Sequence, residues 1–178
     1  LLSMQNPDGG WAAFDRECAN EILSFVPFAD HNAMLDPSCP DITGRVLECL
    51  ARKGLGPAHP AVRRGVEYLR ASQGEDGTWY GRWGCNYVYG TWLSLAGLAA
   101  VGEDLTQERY QRAARWLRER QNPDGGWGES YRSYDDPKLK GLGASTAAQT
   151  SWALMGLWAS GDRGSPSLSL GIDYLLRT

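Results

Sequence analysis

The heptapeptide Gln121-Asn122-Pro123-Asp124-Gly125-Gly126-Trp127 sets the architecture of this chain, because two near-copies of it occur elsewhere in the 178 residues. The other copies are Gln5-Asn6-Pro7-Asp8-Gly9-Gly10-Trp11 and Gln73-Gly74-Glu75-Asp76-Gly77-Thr78-Trp79. Pro, Asp and Gly in succession are typical of a tight turn, in which Gly adopts a positive φ. We expect the Gln amide to bond to neighbouring backbone and the Trp ring to pack beside the Gln, so that the motif ties one helix end to the next. The structural residues of the repeat are Gln5, Trp11, Gln73, Trp79, Gln121 and Trp127. An internal repeat at this spacing predicts one supersecondary unit stacked against its neighbours.

Hydrophobic periodicity predicts six helices between the turns, and strand signals are weak throughout. The predicted helices are 42–53, 61–72, 87–101, 107–120, 146–160 and 168–177. The third and fifth are apolar or small on nearly all faces and are predicted to be inner, whereas the second, fourth and sixth are amphipathic and predicted to be outer. The first begins an inner position but carries Asp41, Arg45 and Glu48. The sequence therefore predicts an all-α fold, part of an α/α toroid with three inner/outer helix pairs of roughly six.

Long loops and incomplete repeat units also mark the chain. Residues 12–40 and 128–145 are rich in Pro, Asp and Ser and exceed the usual length of a connection, which often indicates a functional loop. The segment Leu1–Met4 resembles the tail of a helix, and no Gln-turn-Trp motif follows the last helix before Thr178. We therefore expect residues 1–178 to be a piece of one toroid domain, truncated within repeat units at both ends.

The composition argues against several classes of function. A net charge of −3 is too small to indicate nucleic acid as a partner. No run of 18 apolar residues and no signal segment is present. The four Cys lack C-x-x-C spacing, so we expect reduced thiols, a cytoplasmic location and no metal site. His31 and His59 are isolated in the sequence and are expected to have structural roles, and we expect no cofactor.

One string is far more specific than the repeat: Gly81-Arg82-Trp83-Gly84-Cys85-Asn86-Tyr87-Val88-Tyr89-Gly90-Thr91. Matching strings also occur at 6–15, 41–49 and 143–150. On these residues the chain resembles the squalene–hopene cyclases, a family of triterpene cyclases, over essentially its whole length. The resemblance implies an enzyme of two helical toroids that protonates and polycyclises a linear isoprenoid, with squalene as the expected substrate. It further implies peripheral association with the inner membrane face and a possible homodimer.

The chemistry of such an enzyme accounts for the residue types. An apolar substrate needs an aromatic-lined cavity, and protonating an alkene needs a strong carboxylic acid whose conjugate base is stabilised by its partners. The cations that follow are stabilised by aromatic faces. The family's acid lies in an Asp-x-Asp-Asp motif that is absent here; Tyr134-Asp135-Asp136 is the nearest string. The resemblance places that acid upstream of these residues, so we expect them to be inactive alone.

Three positions of the first helix are candidate site residues. Asp41, Arg45 and Cys49 follow each other at i, i+4 and i+8, which places them on one helix face. The resemblance assigns Asp41 to the hydrogen-bond network of the acid, Arg45 to a place where the family has His, and Cys49 to the neighbourhood of the acid. The alternative is that Asp41 is a helix N-cap with an exposed ion pair to Arg45.

Three aromatic residues complete the candidate site. The resemblance predicts that Trp83 packs on the substrate, that Tyr89 holds a water or an early cation near the acid, and that Phe14 stands where the family often has Tyr. We thus expect Asp41, Arg45 and Tyr89 to be catalytic and Trp83, Phe14 and Cys49 to bind substrate. Ordinary core packing remains the alternative for Trp83 and Tyr89.

Three other classes of protein stay open at this point. A non-catalytic binding module built from the same repeats is the main alternative. A prenyltransferase β-type subunit would require Asp, Cys and His zinc ligands, and the Cys residues here lack such company. Oxidosqualene cyclases share the toroid but resemble this sequence less well around Asp41 and Arg45.

Overall fold

The computed structural model describes residues 1–18 and 35–178, and within these ranges the regular structure is helical. The six α-helices are α1 (Pro40–Arg52), α2 (Pro60–Ala71), α3 (Tyr87–Ala100), α4 (Glu108–Glu119), α5 (Ala147–Ala159) and α6 (Pro166–Arg177). All six predicted helices are confirmed. The largest differences are at the starts of α1 and α6, each of which begins at a Pro whose fixed φ suits the first turn of a helix.

The connections contain short irregular structure. Two 3-10 turns, Tyr131–Tyr134 and Pro137–Leu139, lie in the long loop that precedes α5. The other long loop is described only in part, and the string Asp30-His31-Asn32 lies outside the described residues. The described residues Cys18 and Asp36 of that loop form an isolated antiparallel bridge. In the part of the chain that the structure describes, no helix is long and apolar enough to cross a membrane.

The helices form two layers. The inner layer is α1, α3 and α5, with α3 packed between the other two, and the outer layer is α2, α4 and α6. The closest approach is between α1 and α3: a Cβ added at Gly44 would lie 2.3 Å from the Leu93 carbonyl oxygen, and one at Gly97 would lie 2.5 Å from the Gly44 carbonyl oxygen. Only glycine fits so close a backbone crossing. This crossing fixes the start of α1 beside the segment that precedes α3.

The Gln of the repeated motif holds the start of the next outer helix in the same way three times. Each motif Gln donates from Nε2 to the Gly carbonyl of its own turn and to the second residue of the next outer helix. The outer-helix acceptors are Ala61 at 2.9 Å, Arg109 at 2.9 Å and Ser167 at 2.9 Å. The predicted bonding of the Gln amide to neighbouring backbone is therefore confirmed.

Each motif Trp is buried in the core and is anchored at both ends. Trp11, Trp79 and Trp127 are 1%, 0% and 0% exposed. Their backbone N–H groups donate to the hydroxyls of Thr43, Thr91 and Thr150 on the inner helices. Their indole N–H groups donate to the carbonyls of Leu1, Leu69 and Leu117. All three rings belong to the hydrophobic core.

The fifth helix differs from the expectation of burial on all sides. Its residues Ala153 and Leu157 are fully buried against the neighbouring helices, but Met155 and Trp158 are 42% and 58% exposed. The helix contacts α3, α4 and α6, and these cover only part of its circumference. An apolar helix surface thus remains open on the inner side.

Candidate active site

The carboxylate of Asp41 is the centre of the candidate site. It is fully buried in the first turn of α1, and a buried carboxylate requires hydrogen-bond partners. Its Oδ2 accepts the backbone N–H of Trp83 at 2.8 Å, and its Oδ1 accepts the backbone N–H of Ile42 at 3.0 Å. The N-cap of α1 is Cys39, so the alternative in which Asp41 is the N-cap is wrong. Asp41 instead links α1 to the segment before α3.

The thiol of Cys39 is a further partner of this carboxylate. Burial, and then the charge of Asp41 and a hydrogen bond to it, raise the pKa of the Cys39 thiol well above its usual range. The thiol therefore keeps its proton and donates it toward Asp41. This contact was not predicted, because a Cys two residues before an Asp carries no recognisable signal.

Arg45 lies apart from Asp41. Its guanidinium carbon is 4.9 Å from the centre of the Trp92 ring, and its nearest carboxylate is Glu48, with a nitrogen–oxygen distance of 3.9 Å. The predicted exposed pair between Asp41 and Arg45 is absent among the ion pairs of the described residues. The side chain of Arg45 is half exposed, so its permanent charge faces the open inner side of the helices.

Trp83 and Phe14, predicted as a substrate-binding pair, are brought together. Their rings are 5.4 Å apart and nearly perpendicular, and Phe14 is 68% exposed. The Asp36 carboxylate holds the Phe14 segment by accepting the backbone N–H groups of Ala13, Phe14 and Asp15. Asp36 was not predicted, since its partners are backbone groups more than 20 residues away.

Tyr89 belongs to an aromatic cluster with two residues that the sequence analysis did not single out. The Tyr89 ring centre is 4.9 Å from that of Trp152 and 5.8 Å from that of Trp92, and the two Trp rings stack at 6.1 Å. Burial, and then the charge of Asp41, raise the pKa of the Tyr89 hydroxyl. The hydroxyl thus keeps its proton near neutral pH. Tyr89 also lies against the backbone of Gly84, where an added Cβ would be 2.7 Å from the ring.

The remaining predicted residues occupy less central places. Cys49 lies half-buried on α1, two turns beyond Asp41. Asp135 and Asp136 are exposed, and Asp136 caps a 3-10 turn, so the nearest string to the acid motif has a local structural role. His59 caps α2 by accepting the Ala61 N–H at 3.2 Å on Nδ1.

A groove lies on the open inner side of the helices. Its volume is about 960 Å³, and it lies between the later turns of α1, α3 and α5 and the start of α6. Arg45 and Trp92 line it, together with the exposed Met155 and Trp158. Asp41 is not among its lining residues. The groove therefore meets the candidate site only through the Arg45–Trp92 contact, and the buried carboxylate, not the cavity, locates the chemistry.

Comparison with known proteins assigns the chain to a family. The squalene–hopene cyclase C-terminal domain matches residues 1–178. Squalene–hopene cyclases of Bradyrhizobium diazoefficiens and Alicyclobacillus acidocaldarius are each 45% identical to the chain, over 180 and 178 residues, and each alignment covers 100% of the chain. A dammaradiene synthase of Dryopteris crassirhizoma is 45% identical over 201 residues, again with 100% of the chain covered.

The chain therefore belongs to the squalene–hopene cyclase family, whose domains are α/α toroids, and the predicted fold class is confirmed. The aligned region makes up 27%, 28% and 29% of these three relatives, so the chain spans little more than a quarter of their length. Nothing in these matches favours a non-catalytic module. Among the described residues, no three His, Cys, Asp or Glu side chains are grouped as metal ligands.

Proposed function

We propose that these residues form one wall of the cavity of a triterpene cyclase that protonates and polycyclises squalene or a related linear isoprenoid. The observation that carries the proposal is the fully buried Asp41 carboxylate, bonded to the Trp83 backbone and close to Tyr89. Burying a carboxylate is costly for the fold unless it is hydrogen-bonded, and carboxylates buried in this way are common at functional sites. The whole enzyme would include a further part of the toroid that supplies the proton-donating acid, and the 178 residues alone would be inactive.

In this proposal Asp41 supports the acid of the whole enzyme by fixing the orientation of its hydrogen-bond network. Arg45 supplies a permanent positive charge that stabilises the conjugate base, although its present contact is with Trp92. The Tyr89 hydroxyl holds a water or an early cation. Trp83 and Phe14 pack on the substrate, and Cys49 contributes to the cavity near the acid. Aromatic faces then stabilise the cyclising cations.

Membrane association follows from the substrate in this proposal. A linear triterpene is almost entirely apolar and partitions into lipid, so the whole enzyme is expected to act at the inner membrane face from the cytoplasm, as a monomer or homodimer. The assay is co-sedimentation of the full-length protein with phosphatidylglycerol vesicles, together with light scattering for its mass. Full-length protein that stays in the supernatant would contradict this part of the proposal.

Turnover of squalene by the full-length protein, with product analysis by gas chromatography, tests the proposed activity. Asp41→Asn removes the charge but keeps the shape, and we expect it to lower turnover by about 100-fold or more. The matched control is Asp162→Asn, because the Asp162 side chain is 8% exposed and pairs with Arg118 of α4, away from Asp41. We expect the control to lose stability and keep its products. Parental turnover by a folded Asp41→Asn variant would show that Asp41 has no role in the reaction.

A further inference from the structure

The N-terminus of α3 is capped by a side chain from a different repeat unit. Asn86 occupies the N-cap position, and its own side chain makes no capping bond to the helix. Instead, Oε2 of Glu129 accepts the backbone N–H of Asn86 at 3.2 Å and that of Val88 at 2.9 Å. A carboxylate there satisfies two otherwise unpaired donors and faces the positive end of the helix. Glu129 is 6% exposed, so water cannot readily replace it.

Glu129 is itself fixed by Gln149 in the first turn of α5. The Gln149 amide pairs with both backbone groups of Glu129: its Oε1 accepts the N–H at 3.0 Å, and its Nε2 donates to the carbonyl at 3.0 Å. The same Nε2 lies 3.1 Å from the Cys85 carbonyl. The Gln149 amide therefore joins three parts of the chain: the start of α5, the backbone at Glu129 and the segment that leads into α3.

Close backbone contact leaves Glu129 little freedom. A Cβ added at Gly128 would lie 1.8 Å from the Ala144 carbonyl oxygen, and one at Gly143 would lie 2.8 Å from the Ser130 nitrogen. Residues 128–130 and 143–144 of the loop thus pack backbone against backbone, at distances that only glycine permits. The carboxylate is held by backbone packing as well as by Gln149.

The segment that Glu129 holds is the one that contacts Asp41. Residues 81–86 carry Trp83, whose N–H donates to Asp41, and Tyr89 lies in the turn that Glu129 caps. The Tyr134 hydroxyl supports the same segment, at 3.0 Å from the carbonyl oxygens of both Gly81 and Gly84. Movement of the α3 N-terminus would therefore move the Trp83 amide away from the carboxylate.

We infer that Glu129, clamped by Gln149, is a positioning residue that holds the start of α3 in register with Asp41, so that Trp83 and Tyr89 keep their places beside that carboxylate. The inference rests on the proposed cyclase function for its catalytic consequence. Its structural part, the coupling of Glu129 to the Trp83–Asp41 bond, stands independently of any reaction.

The experiment uses the full-length protein and two changes at Glu129. Glu129→Ala removes the acceptor, whereas Glu129→Gln keeps an oxygen but loses the charge, which roughly halves the strength of such bonds. Glu103→Ala is the control, because Glu103 is also largely buried but pairs with Arg70 and Tyr110 in the outer layer. Circular dichroism and thermal unfolding establish that each variant is folded.

Two readouts separate positioning from general stability. Hydrogen–deuterium exchange of the peptide spanning residues 81–88 is expected to be faster by roughly tenfold in Glu129→Ala and severalfold in Glu129→Gln, and parental in Glu103→Ala. Squalene turnover is expected to show kcat lowered roughly tenfold or more in Glu129→Ala, with KM nearly unchanged and a larger share of partly cyclised products. Glu129→Gln is expected to recover part of this loss.

The outcomes are distinct. Parental exchange of the 81–88 peptide in folded Glu129→Ala, or in Glu129→Gln if the Ala variant does not fold, would overturn the inference. Faster exchange with parental kcat and products would also overturn its catalytic part. If the parental protein does not turn over squalene, the proposed function fails, and the exchange arm alone decides whether Glu129 positions the Trp83 segment.

Discussion

Replacing Thr91 by Val tests the way in which the repeat couples its two layers. The Thr91 hydroxyl accepts the Trp79 backbone N–H at 3.1 Å, and both residues are 0% exposed. Val has almost the same volume, so the change removes the acceptor without opening a cavity. A buried donor left without a partner costs about 1–3 kcal/mol. In a domain of 150–250 residues each kcal/mol lowers the unfolding midpoint by roughly 2–4 °C.

The assay is thermal and urea unfolding of the Thr91→Val variant beside Thr106→Val. Thr106 is exposed, and its hydroxyl bonds only to Asp104 in a surface turn, so the control makes the same chemical change outside the core. Thr43→Val and Thr150→Val break the equivalent bonds of the other two motifs, at 3.0 and 2.9 Å, and should cost the same. Midpoints of Thr91→Val and Thr106→Val that agree within error would refute the idea that these bonds stabilise the layers.

Three further predictions concern the site and the repeat turns. In the full-length protein, Arg45→Lys should turn over squalene at a rate between those of the parent and of Asp41→Asn, because Lys keeps the charge but not the flat guanidinium over Trp92. Steady-state kinetics measures this rate, and full activity of the variant would contradict the prediction. Trp83→Ala should weaken substrate binding or release early-terminated products, detected by gas chromatography; an unchanged KM and product profile would contradict a role on the substrate. Hydrogen bonds from the Gly126 N–H and the Ser145 hydroxyl hold the pKa of Asp124 below its usual value. The ionised carboxylate therefore stabilises the fold at pH values above its unfolded pKa of about 4. This stability is lost as the pH falls through the pKa of the folded state. Asp124→Asn should therefore flatten the acid side of the stability–pH curve, measured by urea unfolding, and an unchanged curve would contradict this.

The layers of the fold were predictable because local signals and packing agree. The apolar helices α3 and α5 and the amphipathic helix α4 follow directly from periodicity, and each motif places a large ring where two layers meet. Helix starts were less well predicted, as Pro40 and Pro166 show. The exposed face of α5 was also missed, since periodicity reports how apolar a helix is and not which neighbours are present to cover it.

The site was predicted only in part, because spacing fixes the helix face but not the direction of a long side chain. Asp41 and Arg45 share a face of α1, yet the short carboxylate turns toward the Trp83 amide and the long guanidinium reaches Trp92. Neither Glu129 nor Gln149 was singled out from the sequence, because their partners are backbone groups of distant segments. Which distant segments come together depends on how the repeat units pack, and the sequence of a single repeat does not show this.

The repeat explains why the parts of the site meet at one end of the inner layer. The Trp–Thr bonds place Thr43, Thr91 and Thr150 near the starts of α1, α3 and α5. Two residues before these threonines stand Asp41, Tyr89 and Ala148. The position two residues before the threonine thus holds a carboxylate in α1, a phenol in α3 and a methyl group in α5. Because the threonines secure the backbone independently of this position, its side chain is free to differ between repeats, which allows a structural repeat to build an asymmetric site.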